Sequence, residues 1–464
     1  MPTVAFVTLG CKVNFYDTEG IWHSFQARGY RQVSAQTRAD VYVINTCTVT
    51  NTGDKKSRQA IRRAIRQNPD ATVVVTGCYA QVAPAEIAAL HGVDLVIGND
   101  EKSKIVDHVE RIVAEQQPYQ SVNNILKTRS FEEFDVPTFD DRTRASLKIQ
   151  DGCNNFCTFC IIPYARGLIR SRQPDNILAQ ARKLAQAGYR EIVLTGIHTG
   201  GYGADLASYR LANLLRDLAA VDQLYRIRIS SIEASEIDDE LIETIGLSTK
   251  VCQHLHIPLQ SGHNEILRKM NRHYTVEAYA DKLSKLRRYL PDMAITSDVI
   301  VGFPGETDDQ FESTEAFIRN QRFSQLHVFP YSPRRGTPAA KFANQVPAWL
   351  KQQRVDRLID LSKLLTETFS ARFHDKVVEF IPEGPLATAP LEVQMAVPSH
   401  LDASRLVFGH ADNYLRVVAE IPQCVEMETV MGEVIRARVT KTGSAVQMAL
   451  YEEHATMADA VFVL

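Results

Sequence analysis

The chain has 464 residues, of which 45% are apolar and 23% are charged. This is the mixture of ordinary globular proteins and excludes a mainly disordered or collagen-like chain. Lysine and arginine number 52 against 55 acidic residues, a net charge of −3, which excludes a uniformly basic nucleic-acid binder but not a local basic patch. The first residues lack a basic leader and no apolar run reaches about 18 residues, so we expect a cytoplasmic protein without a membrane segment.

The first segment, residues 1–125, alternates short apolar runs with helix-compatible stretches. Runs rich in Val and Ile that alternate with helices are typical of a doubly wound parallel sheet. The predicted strands are Val4–Leu9, Asp40–Ile44, Ala71–Val75 and Val93–Ile97. The predicted helices are Thr18–Gln26, Lys55–Gln67 and Pro84–Leu90.

An acidic stretch without periodicity, Glu132–Thr143, predicts a linker, which we place at residues 126–143. Residues 144–371 again alternate between strands and helices, and helix Trp349–Ser370 closes this part. This pattern favours a partial or complete α/β barrel with strands at Ser146–Ile149, Glu191–Thr195, Arg226–Ile229, Gln253–Pro258, Ala294–Val301 and Phe323–Pro330.

The last segment, residues 372–464, has short strands separated by Gly and Pro turns. Such a pattern predicts a small all-β barrel. Its predicted strands are Lys376–Ile381, Glu392–Val397, Tyr414–Ala419 and Met431–Thr440.

Eight cysteines in a long chain without a secretory signal do not suggest a disulfide scaffold. Cys153, Cys157 and Cys160 form a C-x3-C-x2-C pattern. Three thiolates this close can hold three corners of an iron–sulfur cubane and leave one iron open. An open iron can chelate S-adenosylmethionine, and an electron from the cluster then releases an adenosyl radical. A zinc site is the alternative, but zinc prefers four ligands in two pairs.

Three further cysteines, Cys11, Cys47 and Cys78, each follow a predicted strand. Taken singly, each would be interpreted as a buried core thiol. Because the carboxyl ends of parallel strands share one edge of a sheet, the three should converge. Each also lies in a loop that opens a helix, whose dipole favours the thiolate. We therefore predict a second cluster on these residues, and we interpret Cys252 and Cys424 as core or structural.

Several motifs together resemble the methylthiotransferase family of radical S-adenosylmethionine enzymes, and the match runs along nearly the whole chain. They are TLGCKVN (Thr8–Asn14), NTCTVT (Asn45–Thr50), TGCYAQ (Thr76–Gln81), KIQDGCNNFCTFCIIPYARG (Lys148–Gly167), HIPLQSG (His256–Gly262), KMNRHYT (Lys269–Thr275), SDVIVGFPGET (Ser297–Thr307) and FPYSPRRGTPA (Phe329–Ala339). The last segment resembles the TRAM domain that ends these proteins. The resemblance implies two 4Fe-4S clusters and the addition of a methylthio group to an unactivated C–H bond.

Three branches of that family differ in substrate. Two act on a tRNA adenosine beside the anticodon that carries an isopentenyl or a threonylcarbamoyl group, and the third acts on an aspartate of a ribosomal protein. The sequence GCKVN around Cys11 is similar to the threonylcarbamoyladenosine branch. The resemblance thus implies methylthiolation at C2 of N6-threonylcarbamoyladenosine. It also implies the tRNA anticodon stem-loop as partner and an electron donor such as a flavodoxin or ferredoxin.

The resemblance also suggests residues that contact S-adenosylmethionine. Phe159 is expected to contact the adenine, and Glu233 the charged amine or a ribose hydroxyl of the cofactor. Gly302 is expected to shape the protein backbone next to the adenine. The remaining positions expected to bind polar groups are Thr195, Gly196, Gln260, Ser261 and Asp298.

Charge gives a mixed indication about RNA. Basic residues cluster on one predicted helix and in two other places, and we predict tRNA contacts at Lys55, Arg58, Arg62, Arg66, Arg334, Arg335, Arg436, Arg438 and Lys441. Arg166, Arg170 and Arg172 would add basic groups near the active site. Against this, residues 375–464 contain six Lys/Arg and thirteen Asp/Glu, which suits a protein substrate better than RNA. A noncatalytic iron–sulfur or RNA-binding protein of the same fold is the alternative from another class.

Overall fold

Buried parallel strands build the amino-terminal part of the computed structural model, which describes residues 1–115, 117–139 and 143–454. The strands are β1 (Thr3–Thr8), β2 (Arg31–Gln32), β3 (Val41–Thr46), β4 (Thr72–Gly77), β5 (Leu95–Ile97) and β6 (Tyr119–Ser121). The helices are α1 (Lys12–Ala27), α2 (Asn51–Gln67), α3 (Cys78–Val82), α4 (Pro84–Ala88) and α5 (Ile105–Glu115). The sheet order is β2-β1-β3-β4-β5-β6, and every pair is parallel.

This sheet confirms the four predicted strands and the doubly wound fold. Helices cover both faces, so the central strands are buried on both sides, and β3 is buried at all six positions. The edge strands β2 and β6 were not predicted, because they are two and three residues long and carry no apolar run.

The middle of the chain forms six parallel strands in two hydrogen-bonded groups and a separate short antiparallel pair, β8 (Gln150–Asp151) and β9 (Arg170–Ser171). Its strands are β7 (Ala145–Lys148), β8 (Gln150–Asp151), β9 (Arg170–Ser171), β10 (Glu191–Thr195), β11 (Arg226–Ile229), β12 (His254–His256), β13 (Ala294–Val301) and β14 (Gln325–Pro330). Its helices are α6 (Ile162–Arg166), α7 (Pro174–Gln186), α8 (Leu211–Ala219), α9 (Asp239–Leu247), α10 (Asn264–Lys269), α11 (Val276–Tyr289), α12 (Asp308–Gln321) and α13 (Ala348–Ala371).

The six parallel strands form a partial barrel. The two groups are β11-β10-β7 and β12-β13-β14, and single parallel bridges at Ile227–Val251 and Ser231–His256 join them. Within the described residues β14 and β7 do not pair, so the array is open between its first and last strands. The six predicted strands are confirmed, and the partial form of the barrel is the correct one.

The carboxy-terminal part is a closed barrel of five strands in the order β15-β16-β17-β19-β18. They are β15 (Val377–Pro385), β16 (Leu406–Ala411), β17 (Arg416–Glu420), β18 (Ile435–Lys441) and β19 (Gln447–His454), with helices α14 (Leu391–Ala396) and α15 (Met427–Val430). The all-β barrel is confirmed, but the predicted strand Glu392–Val397 is wrong. That segment is α14, because Leu, Glu, Gln, Met and Ala favour a helix and only Val393 of it is buried.

The stretch between the first two parts packs closely although it contains no regular element from residue 128 to 139. Phe134, Val136 and Phe139 are buried in it. Phe134 lies against Gly20 of α1 so tightly that a Cβ at Gly20 would lie 2.4 Å from its ring. The boundaries at 125, 143 and 371 stay predictions. Among the described helices, none is long and apolar enough to cross a bilayer.

Candidate metal centres

The first cysteine triad lies at the carboxyl edge of the amino-terminal sheet. Cys11 precedes α1, Cys47 follows β3 directly, and Cys78 opens α3 after β4. Gly10 has a left-handed φ of +101°, and a Cβ there would lie 2.9 Å from the Cβ of Cys47. Only glycine therefore lets the Cys11 loop approach Cys47 this closely.

Hydrogen bonds between the three loops hold this edge together. The side-chain amide of Asn14 donates to the carbonyl oxygens of Leu9 at 2.7 Å and Thr46 at 3.0 Å. The hydroxyl of Thr46 donates to the carbonyl of Thr76 at 2.5 Å. Asn14 and Thr46 are both buried, so these bonds tie the ends of β1, β3 and β4 into one rigid unit.

The three thiols are close enough to influence one another's ionisation. Desolvation raises the pKa of Cys47, and the charges of Cys78 and Cys11 raise it further. Cys11 is exposed as a residue, yet enough protein surrounds its sulfur that desolvation raises the pKa of the thiol. The pKa of Cys11 is lowered by Arg166 and raised by Cys78. Converging thiols without another ligand nearby are a donor set suited to an iron–sulfur cluster.

The second triad lies on the loop between β8 and α6. Gly152, directly before Cys153, has a φ of +79°, and a Cβ there would lie 1.9 Å from the carbonyl oxygen of Leu168. The backbone N–H of Cys153 donates to the carbonyl of Gly167 at 3.0 Å, which closes the loop. Burial raises the pKa of Cys160 to about 12, and the charges of Cys157 and Cys153 add to that rise. Bound iron would offset this cost by pairing with the thiolates.

Arg272 links the second triad to a small polar pocket. Its guanidinium donates to the sulfur of Cys157 at 3.3 Å and pairs with Glu233. The pocket is lined by Asn155, Cys157, Glu233, Ser235, Asn271, Arg272, His273 and Tyr274. Arg272 lies in the KMNRHYT motif, but no role was predicted for it. There was little reason in the sequence to predict a site role for Arg272, because a single arginine after a helix is usually a surface residue.

Arg166 joins the two triads. It lies at the end of α6, a few residues after Cys160, and its Nε donates to the sulfur of Cys78 at 3.4 Å. Its Nη1 pairs with Asp17 at 2.9 Å and with Asp151 at 3.0 Å, and all three side chains are buried. The two carboxylates also pair with Lys102 and Lys148. A buried ionic network therefore locks the amino-terminal sheet onto the cysteine loop of the barrel.

Comparisons with known proteins agree with this arrangement. The family model described as "Uncharacterized protein family UPF0004" matches residues 3–98, and that of the radical SAM superfamily matches residues 147–318. A curated protein from Bacillus subtilis, threonylcarbamoyladenosine tRNA methylthiotransferase MtaB, is 53% identical over 96% of this chain and 95% of its own length. The chain belongs to the radical S-adenosylmethionine methylthiotransferase family.

Two further methylthiotransferases match this chain at lower identity. The protein of the same name from Aquifex aeolicus is 43% identical over 79% of this chain and 89% of its own. The tRNA-2-methylthio-N(6)-dimethylallyladenosine synthase of Desulfitobacterium hafniense is 34% identical over 83% and 88%. Among solved structures, the radical S-adenosylmethionine methyltransferase TsrM from Kitasatospora setae, with cobalamin and a [4Fe-4S] cluster bound, has a TM-score of 0.55. Its identity is 15%, over 73% of this chain and 76% of that one, so it shows the fold alone.

The residues expected to bind S-adenosylmethionine differ in whether their polar groups are already hydrogen-bonded within the protein. Gln260 has a left-handed φ of 63°, and its side-chain oxygen is buried without a hydrogen-bond partner in the described structure. Such an orphaned acceptor fits a donor group on a bound molecule. Glu233 lines the pocket and pairs with Arg272, and Phe159 packs partly buried against the cluster of Phe303 and Tyr331.

The other expected contacts already have partners inside the protein. The hydroxyl of Thr195 donates to the carbonyl of Val193 at 3.2 Å, and Ser261 contacts Thr314 at 3.3 Å. The N–H of Gly302 donates to Glu306 at 2.6 Å. Gly196 leaves no room for a Cβ against Gln150, and Asp298 pairs with two histidines. Their contact with S-adenosylmethionine stays a prediction.

The basic residues fall into exposed and buried sets. Lys55, Arg62 and Arg66 on α2 are exposed, whereas Arg58 is half-buried and donates to the Tyr79 hydroxyl at 2.9 Å. Arg335 is 95% exposed at its side chain. Lys55, Arg58, Arg62 and Arg66 recur at three- and four-residue spacing and so form one basic surface on a single face of α2, which begins close to the Cys47 loop and ends far from it.

Arg334, for which a tRNA contact was predicted, and three other arginines near the cysteine triads are buried and do not contribute to that surface. Arg334 is buried and pairs with Asp54 of α2 at 2.8 Å, so it fixes the barrel to the sheet. Arg166, Arg170 and Arg172 are also buried. Arg172 pairs with Glu133 at 2.7 Å. A buried guanidinium with a carboxylate partner cannot neutralise a phosphate.

The basic residues of the carboxy-terminal barrel are paired as well. Arg436 contacts Glu379 at 3.2 Å, and Arg438 contacts Glu452 at 2.7 Å. Lys441 is exposed. Cys252 is buried, as expected of a core thiol, whereas Cys424 is exposed and does not belong to the core.

Proposed function

We propose that this protein adds a methylthio group to C2 of N6-threonylcarbamoyladenosine beside the anticodon of tRNA. The observation that carries the proposal is the 53% identity to the Bacillus subtilis enzyme along 96% of the chain. The dimethylallyladenosine relative matches at 34%, so the threonylcarbamoyl substituent is favoured. Two cysteine triads joined by Arg166 support an enzyme over a noncatalytic protein, because a binding protein needs neither.

The two triads would hold the two 4Fe-4S clusters that this chemistry requires. When bound, the clusters supply the electron that cleaves S-adenosylmethionine and a sulfur attachment point. Cys153, Cys157 and Cys160 would bind one cluster through a loop that Gly152 and Arg272 shape. Cys11, Cys47 and Cys78 would bind the other at the sheet edge. Arg166 fixes the distance between the two sites because it contacts both loops.

The chain's other residues would bind and enclose the substrates. Gln260 offers its orphaned oxygen, Glu233 its carboxylate and Phe159 an aromatic face to S-adenosylmethionine. The target base must leave the anticodon-loop stack to reach a buried site, as in other enzymes that act on bases. The open side of the six-stranded array provides the entry. A tRNA substrate implies action in the cytoplasm, with a flavodoxin or ferredoxin as electron donor.

A choice among three substrates tests the proposal. The reconstituted protein is given stem-loop RNA with N6-threonylcarbamoyladenosine, the same RNA with isopentenyladenosine, and the ribosomal-protein aspartate peptide. We expect methylthio product from the first RNA at least about tenfold faster than from either competitor, since a site built for polar groups rejects an analogue without them. Product mainly from the isopentenyl RNA or the peptide would contradict the proposal.

The basic surface of α2 makes a second prediction. Changing Arg62 and Arg66 to glutamate is expected to weaken tRNA binding about tenfold or more and to lower the salt dependence of log K by about two. The matched control is glutamate at Arg319 and Lys363, two exposed cations on α12 and α13 at the outside of the barrel. Affinity is measured by titration with labelled tRNA. An equal loss of affinity in both double variants would show that only net charge affects binding and would contradict a tRNA contact on α2.

A further inference from the structure

A row of histidines lines the inner face of the open strand array. His256 of β12 is in register with Thr296 of β13, and Asp298 of β13 is in register with His327 of β14. Side chains alternate along a strand, so these four residues and His254 point to the same face. The intervening residues Leu255, Ile295 and Leu326 are buried in the core on the other face.

Hydrogen bonds connect these side chains in one chain. His254 Nε2 and His256 Nδ1 lie 3.0 and 2.9 Å from the Thr296 hydroxyl. Beyond it, His256 Nε2 and His327 Nδ1 lie 3.2 and 3.3 Å from the same oxygen of Asp298. The rings of His256 and His327 stack with centroids 5.3 Å apart.

The direction of the chain follows from its buried end. His254 Nδ1 is buried without a partner in the described structure, so the ring proton belongs on Nε2, where it donates to Thr296. The Thr296 hydroxyl then donates to His256 Nδ1, and His256 Nε2–H donates to Asp298. Asp298 accepts a second bond from His327 Nδ1–H. His256 Nε2 and His327 Nδ1 then both carry hydrogens, so neither nitrogen offers a lone pair to a metal ion at Asp298.

His327 ends this chain at the open edge. Its side chain is 47% exposed, and because Nδ1 is the nitrogen that contacts Asp298, Nε2 is the ring nitrogen left for a ligand. Asp298 and the stacked His256 ring fix the orientation of the imidazole. Phe329, two residues further on the same face of β14, is 46% exposed. A large apolar ring exposed beside an oriented imidazole is a binding feature rather than core packing.

This edge adjoins both cysteine triads. The chain after β14 runs past Tyr331, which packs in the cluster that Phe159 joins, to Pro333, whose carbonyl accepts from Asn51 of α2 at 3.2 Å. Ile300, which is in register with Phe329, packs against the same cluster as Phe159. The end of the row that carries His327 and Phe329 therefore lies towards the second triad, whereas the His254 ring at its other end stacks on Tyr414 of the carboxy-terminal barrel with centroids 4.5 Å apart.

We propose that His327 and Phe329 form the subsite for the threonylcarbamoyl-bearing nucleoside. Phe329 stacks on the flipped base, and the doubly protonated ring of His327, whose Nδ1–H donates to Asp298, donates its Nε2–H to the carboxylate of the substituent. Asp298 and His256 are positioning residues, since they act by orienting His327. The ligand class is an N6-substituted adenosine in RNA whose substituent ends in a carboxylate. The inference rests on the proposed function and adds the residues that recognise its distinctive charge.

The test compares two stem-loop RNAs that differ in one group. One carries N6-threonylcarbamoyladenosine, and the other carries the same nucleoside with the threonyl carboxylate as a primary amide. The dissociation constant of each is measured with the cluster-loaded protein without reductant. We expect wild-type protein to bind the acid about tenfold more tightly than the amide, as a charge-assisted hydrogen bond provides. In the His327→Asn variant we expect the ratio of the two dissociation constants to fall to near one, while the affinity for the amide RNA stays unchanged.

Two variants complete the design. Phe329→Leu is expected to weaken the binding of both RNAs equally, because it removes base stacking but not the recognition of the carboxylate charge. His374→Asn is the matched control, since His374 is an exposed histidine 3.5 Å from Asp375 at the far end of α13, and it should keep the tenfold ratio.

The outcomes separate the subsite from the function. A ratio that stays tenfold in His327→Asn, or a ratio near one in wild type, overturns the subsite if wild type still converts the acid RNA. Failure of wild type to convert that RNA overturns the proposed function instead. A divalent ion beyond the clusters, bound by wild type at one per chain and lost in His327→Asn, would show a metal site and also overturn the subsite.

Discussion

Changing Cys11 to alanine is expected to abolish methylthio product while S-adenosylmethionine is still cleaved reductively. Cys11 belongs to the triad at the sheet edge, and the residues that shape the Cys153 loop, Gly152 and Arg272, do not contact it. Product should fall by more than about 100-fold, since even outer-sphere changes at metal sites cost 10–100-fold. The measurement is 5′-deoxyadenosine and methylthio nucleoside from the same reaction.

The counterpart is Cys157→Ala, which should stop 5′-deoxyadenosine formation and product together. Each variant is expected to keep about four of about eight irons per chain, because the two triads are separate ligand sets. Cys424→Ala is the matched control, since Cys424 is exposed and belongs to neither triad. Methylthio product from Cys11→Ala, or radical cleavage by Cys157→Ala, would show that the two-triad assignment is wrong.

Changing Arg166 to methionine is expected to lower the stability of the protein strongly. Arg166 is fully buried, and its removal leaves Asp17 and Asp151 with fewer cationic partners. Breaking a buried ion pair costs about 3–5 kcal/mol, because the remaining charge is desolvated and uncompensated. The free energy of the unfolding transition that separates the sheet from the barrel, measured in urea, should fall by that amount. Arg335→Met, at an exposed position, should change it by less than about 0.5 kcal/mol.

Because of the same ionic network, the stability of the Arg166→Met variant is expected to depend on pH differently from that of wild type. Burial raises the pKa of Asp17, but the charges of Lys102, Lys148 and Arg166 outweigh it and hold the pKa well below its ordinary value. A carboxylate with a lowered folded-state pKa stabilises above its unfolded pKa of about 3.9, and the effect disappears as the pH falls through the folded value. Acid unfolding of Arg166→Met should therefore begin at a higher pH than in wild type. An unchanged acid midpoint would contradict this role for Arg166.

Local patterns predicted the strands and the cysteines well. The apolar runs of β3 and β4 are buried on both faces of the sheet, so their composition alone was enough to predict them as strands. The cysteines of the first triad follow β1, β3 and β4, and the shared edge of a parallel sheet brings them together. β16 and β19 were missed, since they are defined by pairing across the closed barrel. The strand predicted at Glu392–Val397 failed because one buried valine cannot establish alternation.

The charged residues were harder to predict, because burial is decided by distant partners. Arg166 pairs with Asp17 across 149 positions, and Arg334 pairs with Asp54 across 280. A sequence shows their charge but not the carboxylates that the fold brings to them. The histidine row depends in the same way on three strands meeting. In the sequence, His256 stood in the HIPLQSG motif without a role and His327 stood in no motif. Residues that act through tertiary contacts therefore required the structure.

Nucleoside mass spectrometry of tRNA is the most direct test of the central claim. Total tRNA is compared from cells with the gene, cells without it, and deleted cells that carry either wild type or Cys11→Ala. We predict that 2-methylthio-N6-threonylcarbamoyladenosine disappears on deletion and returns with wild type only, while N6-threonylcarbamoyladenosine accumulates in the other two strains. If deletion leaves the methylthio nucleoside unchanged, or if Cys11→Ala restores it, the proposed activity of this protein is contradicted.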